Sequence, residues 1–237
     1  ADELLLKNPD ALMSGYALEK LIESCVPAIK LPRQISAPDL DVILLAIRAA
    51  TYGENMPLTV QCPHCEEENE FECHIPNVLG TMKSIPTENA VHLGDEVIVY
   101  VRPHTLDLAT RMALASYEET RKLQALDLES EKMSAEERTK HLSKTMERVS
   151  RLNLEMLSFC CVQVVAPGAV VTDRAAIAEF VMNIPKPWVE KIDAKVKELN
   201  QGGIDRKIAV SCHACSHEWQ TEVEFDPANF FDGGSSR

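Results

Sequence analysis

Two cysteine pairs carry the clearest chemistry in this sequence. The first lies in TVQCPHCEEENEFE, where Cys62 and Cys65 stand three positions apart. The second lies in AVSCHACSHEWQTEVEFDPANF and consists of Cys212 and Cys215. A C-x-x-C turn offers two thiolates to one ion, which is half of a tetrahedral site. The second pair follows the first by 150 positions, and at that offset Val60 matches Val210, Glu68 matches Glu218 and Glu72 matches Glu222. An apolar residue matches again, Ile75 with Phe225, and each copy has a nearby proline, Pro76 or Pro227. One short pattern is therefore written twice: strand, knuckle, polar turn, strand, proline.

Two such knuckles facing each other make a zinc ribbon. The usual ribbon joins its knuckles through about 15–20 residues, whereas 146 residues separate Cys65 from Cys212. The spacing predicts a ribbon split by a long insertion, with one structural zinc ion per chain held by Cys62, Cys65, Cys212 and Cys215. Two readings compete with this: a pair of unrelated reduced cysteine couples, and a ligand set that recruits Cys73, His74, His64, His213 or His217. Four thiolates at matched positions are the simpler solution, because neither Cys73 nor His74 has a cysteine or histidine counterpart at the offset. A site filled by four thiolates has no open position for water or substrate, so its metal is structural rather than catalytic. A deaminase centre would need His-x-Glu before Pro-Cys-x-x-Cys, but Gln61 precedes Cys62 and Ser211 precedes Cys212. Cys25, Cys160 and Cys161 sit among apolar residues, where a thiol behaves as a small hydrophobe.

Composition narrows the classes further. The 237 residues carry 24 Lys+Arg against 37 Asp+Glu, a net charge of -13. Such a surface repels phosphate backbones and argues against nonspecific nucleic-acid binding. No apolar run reaches membrane-span length, and the opening ADELLLKNPD lacks the basic start of a signal peptide. Eight cysteines without a secretory signal suit metal binding or free thiols in a reducing cytoplasm. No phosphate-binding loop, nucleophile elbow or H-E-x-x-H motif occurs, and nine glycines leave little for phosphate-cradling loops. His92 and His104 flank a predicted hairpin, a position where lone histidines are commonly surface or core. The expectation is a protein that is not an enzyme.

The remaining elements must position the knuckles. Asn8 and Pro9 open a helix with an apolar stripe of Leu12, Leu18, Leu21, Ile22 and Cys25, ending at Pro27. Ser36 caps a second helix with Leu40, Ile43, Leu44 and Ile47 on one face and Gly53 at its end, leading directly into the first knuckle. AVHLGDEVIVYVRP predicts a hairpin turning at Gly94-Asp95. Helices then span about Leu106 to Leu128 and Ser134 to about Val165, the latter placing Leu142, Met146, Val149, Met156, Cys160 and Val164 on its buried side. They form a long αα-hairpin with a charged tip at ESEKMSAEERTK, and Glu118–Lys122, Glu136–Lys140 and Glu147–Arg151 suit its exposed faces. Shorter helices follow over Asp173–Asn183 and Pro187–Asn200. The fold class is α+β: mainly helical, with a small split zinc ribbon and a long αα-hairpin insertion. Its segments are N-terminal helices over 1–57, the first knuckle and β-hairpin over 58–103, a helical insertion over 104–203, and the second knuckle with the tail over 204–237. In that tail, Phe230 and Phe231 either close the core or anchor a partner.

The stretch LPRQISAPDLDVILLAIRAATYGENMPLTVQCPHCEEENEFE resembles the T-even-type bacteriophage baseplate protein family, which includes baseplate hub proteins and hub assembly chaperones. The resemblance rests on the helix ending in IRAATYGENM, the LTVQCPHC that follows at once, and the later second C-x-x-C. It implies a non-enzymatic part of a contractile-tail virion, or a factor that assembles it in the host cytoplasm. Its partners would be other phage tail and baseplate proteins, with a possible oligomer inside the baseplate. The rival reading is a zinc-ribbon regulatory protein contacting the transcription machinery or nucleic acid. Against it stand Glu66, Glu67 and Glu68, which follow the first knuckle where a basic face would be needed.

Overall fold

A computed structural model describes residues 8–130 and 135–222. The chain forms two units, the first made of residues 1–85 and 202–237 and the second of residues 86–201. The second unit is thus inserted in the sequence between the two halves of the first.

The first unit begins with α1 (Pro9–Met13) and α2 (Tyr16–Cys25), where a single helix was expected. Asn8 does cap the start, its side chain accepting from the backbone of Asp10 and Ala11. The break comes at Gly15, whose φ of 70° lies in the left-handed region that interrupts a right-handed helix. Ala17, Leu18, Leu21 and Ile22 are buried, while Cys25 is exposed rather than part of an apolar setting. After a 3-10 turn at Pro32–Gln34 comes α3 (Ala37–Tyr52), with Ser36 accepting from the Asp39 N–H at its start and Gly53 ending it at a φ of 94°. Leu44, Leu45 and Ile47 form its buried face.

From α3 the chain enters β1 (Asn55–Gln61) and β2 (Glu68–His74), an antiparallel hairpin, and then α4 (Ile75–Leu79). The second half supplies β7 (Lys207–Ser211) and β8 (Glu218–Glu222), again an antiparallel hairpin. In the first hairpin Gln61 faces Glu68 and Pro57 faces Glu72; in the second Ser211 faces Glu218 and Lys207 faces Glu222. These pairings are identical at the 150-residue offset, so the duplicated sequence folds as a duplicated structure.

Gly203 and Arg206 tie the approach to the second hairpin to the first half of the unit. Gly203 and Lys83 exchange both backbone hydrogen bonds, at 2.7 and 2.9 Å. Arg206 pairs with Asp41 on α3, whose carboxyl burial pushes up while Arg206 opposes that shift. Gly203 itself has a φ of 86°, and a Cβ there would stand 2.9 Å from the carbonyl oxygen of Pro38. Both the backbone angle and the lack of room demand glycine.

The second unit is a four-stranded antiparallel sheet in the order β3-β4-β5-β6, made of β3 (Ala90–Leu93), β4 (Val97–Val101), β5 (Cys161–Ala166) and β6 (Ala169–Val171). Between β4 and β5 the chain makes α5 (Leu106–Ser130) and α6 (Ala135–Cys160). Glu119 on α5 is buried and accepts two bonds from Arg148 on α6, at 3.1 and 2.8 Å. After the sheet come α7 (Arg174–Asn183) and α8 (Lys186–Asn200).

Two features of α6 differ from the sequence reading. The helix ends at Cys160, and the residues to Val165 are strand, because the carbonyls near its end find partners outside the helix. Arg102 donates to Phe159 and, through its backbone, to Cys160; Arg174 donates to Ser158 and Cys161. Val164 and Val165 then pair with Val99 and Ile98 of β4, which suits their β-branched side chains. The apolar row is also only half buried: Cys160 and Val164 lie in the core and Met156 is half-buried, but Leu142 is 56 % exposed, Met146 63 % and Val149 38 %. Helical periodicity identifies a face but does not say how far along the helix a partner covers it. The tip segment Glu129–Lys140 lies partly, and Phe230–Phe231 wholly, outside the described residues.

Gly203→Ala should destabilise the first unit by about 1–3 kcal/mol, through backbone strain and the clash with Pro38. Denaturant melts of the variant and parent check this, and equal midpoints would contradict it.

Candidate metal centre

Each knuckle is shaped by backbone hydrogen bonds that recur in both copies. In the first, the Cys62 N–H donates to the Glu67 carbonyl and the Glu66 N–H donates to the Cys62 carbonyl, both at 2.9 Å. In the second, Cys212 N–H donates to His217 and Ser216 N–H donates to Cys212, at 2.9 and 3.0 Å. The turn closes through a left-handed residue in each copy, Glu66 at a φ of 62° and Ser216 at 58°. Neither position is glycine, so the conformation is held by the hairpin around it.

The two knuckles meet. The sulfurs of Cys62, Cys65, Cys212 and Cys215 all lie within 4.8 Å of one another. The closest approaches run crosswise, Cys62 to Cys215 at 3.7 Å and Cys65 to Cys212 at 3.6 Å. The first cysteine of each pair is buried and the second exposed. Backbone N–H groups of Cys215 and then Ala214 help push Cys212 down to about 6, with the Cys65 and Cys215 thiols adding to the shift and burial opposing it. The Glu67 N–H pulls Cys65 down as well, but the thiols of Cys215, Cys212 and Cys62 together with burial lift it to about 12. Four thiolates around a single point, with two sulfurs shielded, suit a tetrahedral thiophilic ion such as Zn²⁺.

The alternative ligands lie elsewhere. His64 and His217 stack on each other with centroids 5.5 Å apart, and His213 stacks on Phe71 at 5.6 Å. Trp219 continues this ring contact, edge-on to Phe71 and stacked with His217. His74 bonds Asn55 at 3.1 Å, and Cys73 is buried opposite Met56 in the hairpin. His104 in the second unit is half-buried, and burial holds its imidazole below the ordinary range despite the nearby Asp193. Cys160 and Cys161 are fully buried there, and burial pushes each thiol up to about 12.

One residue of the site escaped the sequence reading. Asn69 on β2 is 1 % exposed, accepts the His213 N–H at 2.8 Å, and donates to the Cys212 sulfur at 3.6 Å and to the Glu67 carbonyl at 2.9 Å. The signal that could have found it is a mismatch: at the 150-residue offset Asn69 falls on Trp219.

A family profile described as T4 bacteriophage base plate protein matches residues 2–232, nearly the whole chain. The chain belongs to this family. Comparisons with curated proteins and with solved structures give no match. No helix among the described residues is long and apolar enough to cross a membrane.

Thiol reactivity should follow this arrangement. Iodoacetamide should modify the exposed Cys25 rapidly in the native protein, and Cys73, Cys160 and Cys161 only after unfolding. Adding Zn²⁺ to the metal-free protein should shield Cys62, Cys65, Cys212 and Cys215 without slowing Cys25. Mass-mapped alkylation tests both points, and Cys160 reacting as fast as Cys25 would contradict the burial argument.

Proposed function

We propose that the protein is a non-enzymatic structural or assembly component of a contractile-tail phage baseplate, working by docking onto other tail proteins with a fold clasped by zinc. The observation that carries this is the base plate family match over residues 2–232. Supporting it is the closed four-sulfur cluster, which suits a structural ion better than a catalytic one. One zinc ion per chain, held by Cys62, Cys65, Cys212 and Cys215, would fasten the two halves of the first unit. The protein would act in the virion baseplate, or during its assembly in the host cytoplasm.

Docking needs surface that is not consumed by the fold. The exposed row of Leu142, Met146 and Val149 on α6 offers apolar contact area of the kind that marks protein–protein interfaces. The charged segment Glu129–Lys140 and the pair Phe230–Phe231, which lie partly and wholly outside the described residues, are the other sequence segments we assign to partners. A net charge of -13 favours partners with basic faces. Transcription-type nucleic-acid binding is disfavoured by the exposed Glu68, Glu70 and Glu72 on the outer face of the first hairpin.

Metal analysis of protein prepared without chelator should return about one zinc per chain. Cys212→Ser should cost several kcal/mol, on the order expected when a structural zinc ligand is lost. Metal-free protein, or a serine variant melting with the parent, would refute the clasp.

Leu142→Glu together with Met146→Glu should stall baseplate assembly in infected cells while leaving zinc content and helicity unchanged. Normal particle yield from this variant would remove that face from the proposal. Unimpaired tail assembly without the protein would refute the baseplate role itself.

A further inference from the structure

The two knuckles are copies in backbone, register and turn geometry, yet they differ where they touch. Asn69 of the first hairpin reaches across to the second knuckle, where its Oδ1 accepts the His213 N–H at 2.8 Å. Its Nδ2 is 3.6 Å from the Cys212 sulfur, and also donates to the carbonyl of Glu67 in its own knuckle at 2.9 Å. At the 150-residue offset, Asn69 is replaced by Trp219 and His213 is matched by Pro63. The two substitutions are complementary. Proline has no N–H to satisfy, so the first knuckle needs no acceptor from the second hairpin, and the second hairpin supplies an indole there. Trp219 instead stacks on His217 and meets Phe71 edge-on.

We infer that Asn69 is a positioning residue that holds the second knuckle against the first, and that it selects pairing between unlike knuckles. Pairing two first hairpins would set Asn69 against Pro63 and leave its Oδ1 without that donor. Pairing two second hairpins would bring Trp219 to the His213 N–H and leave that group without an acceptor. Asn69 is buried, and a buried polar group left unmatched is costly, so the clasp closes between unlike knuckles, which here lie far apart in one chain. The amide contact to the Cys212 sulfur places a neutral donor beside a ligand thiolate, as outer partners of metal ligands commonly do. This inference rests on the metal reading of the four cysteines.

The test uses the full chain with Zn²⁺ and Co²⁺ as probes. Asn69→Leu, similar in size but without the amide, should weaken Zn²⁺ binding about 10- to 100-fold in competition with a chromophoric chelator. It should also shift the thiolate-to-Co²⁺ charge-transfer band, because one sulfur loses a hydrogen-bond donor. His213→Pro copies the residue that the first knuckle already accommodates, and it removes the N–H that Asn69 accepts. It should lower Zn²⁺ affinity by itself, which keeps a measurement available if Asn69→Leu fails to fold. In the His213→Pro background the effect of Asn69→Leu should shrink, since the two groups act as one contact. Parent-like affinity and an unchanged Co²⁺ spectrum in Asn69→Leu would overturn the inference while leaving the metal site standing. Full additivity of the two substitutions, or unchanged affinity in His213→Pro, would also overturn it. A parent protein that takes up neither metal would overturn the metal reading and this inference with it.

Discussion

Everything in the first unit depends on two turns meeting across 146 residues of intervening chain. The four sulfurs within 4.8 Å of one another come in pairs from two hairpins, one in each half of the unit. Closing so long a loop costs entropy, but the cost grows only with the logarithm of length. A large insertion is therefore tolerable, provided that the closure itself is strong and specific. Hydrogen bonds and an ion pair supply part of that specificity: Gly203 with Lys83, Arg206 with Asp41, and Asn69 with the second knuckle. A thiophilic ion would supply the strength, because its binding free energy becomes folding free energy when the site does not exist in the unfolded chain.

The inserted unit solves a different problem. Its sheet must continue after a helical hairpin of two long helices, so α6 has to stop where β5 begins. Arg102 and Arg174 make that stop by taking carbonyls between Ser158 and Cys161. Arg174 also lies over the ring of Phe159, 4.9 Å from its centroid, with Arg111 near the same ring at 5.4 Å. The Arg174 guanidinium thus combines capping with cation–π contact. The buried Glu119 is matched by Arg148 from the facing helix, as a carboxylate taken out of water requires. Towards the start of α6, the apolar side chains of Leu142 and Met146 remain in solvent.

What the sequence determined by itself was local or repeated. Caps at Asn8 and Ser36 start helices because a short polar side chain can satisfy an orphan N–H without any tertiary partner. The Gly94 turn could be read for the same reason, since its φ of 66° is a property of a few neighbouring residues. The duplicated knuckles could be read because both copies answer to one backbone geometry, and a shared constraint leaves a shared spacing. What only the tertiary structure decided was non-local. The end of α6 depends on Arg102 and Arg174, and the exposure of Leu142 and Met146 depends on what lies beside them; helical periodicity extends past both. The split at Gly15 was missed because a left-handed glycine leaves the apolar spacing on either side intact. Crosswise approach of the sulfurs, and Asn69 reaching the opposite knuckle, depend on how two separated segments face each other. A sequence records which groups can bond, but partners more than a hundred residues apart are chosen by packing in three dimensions.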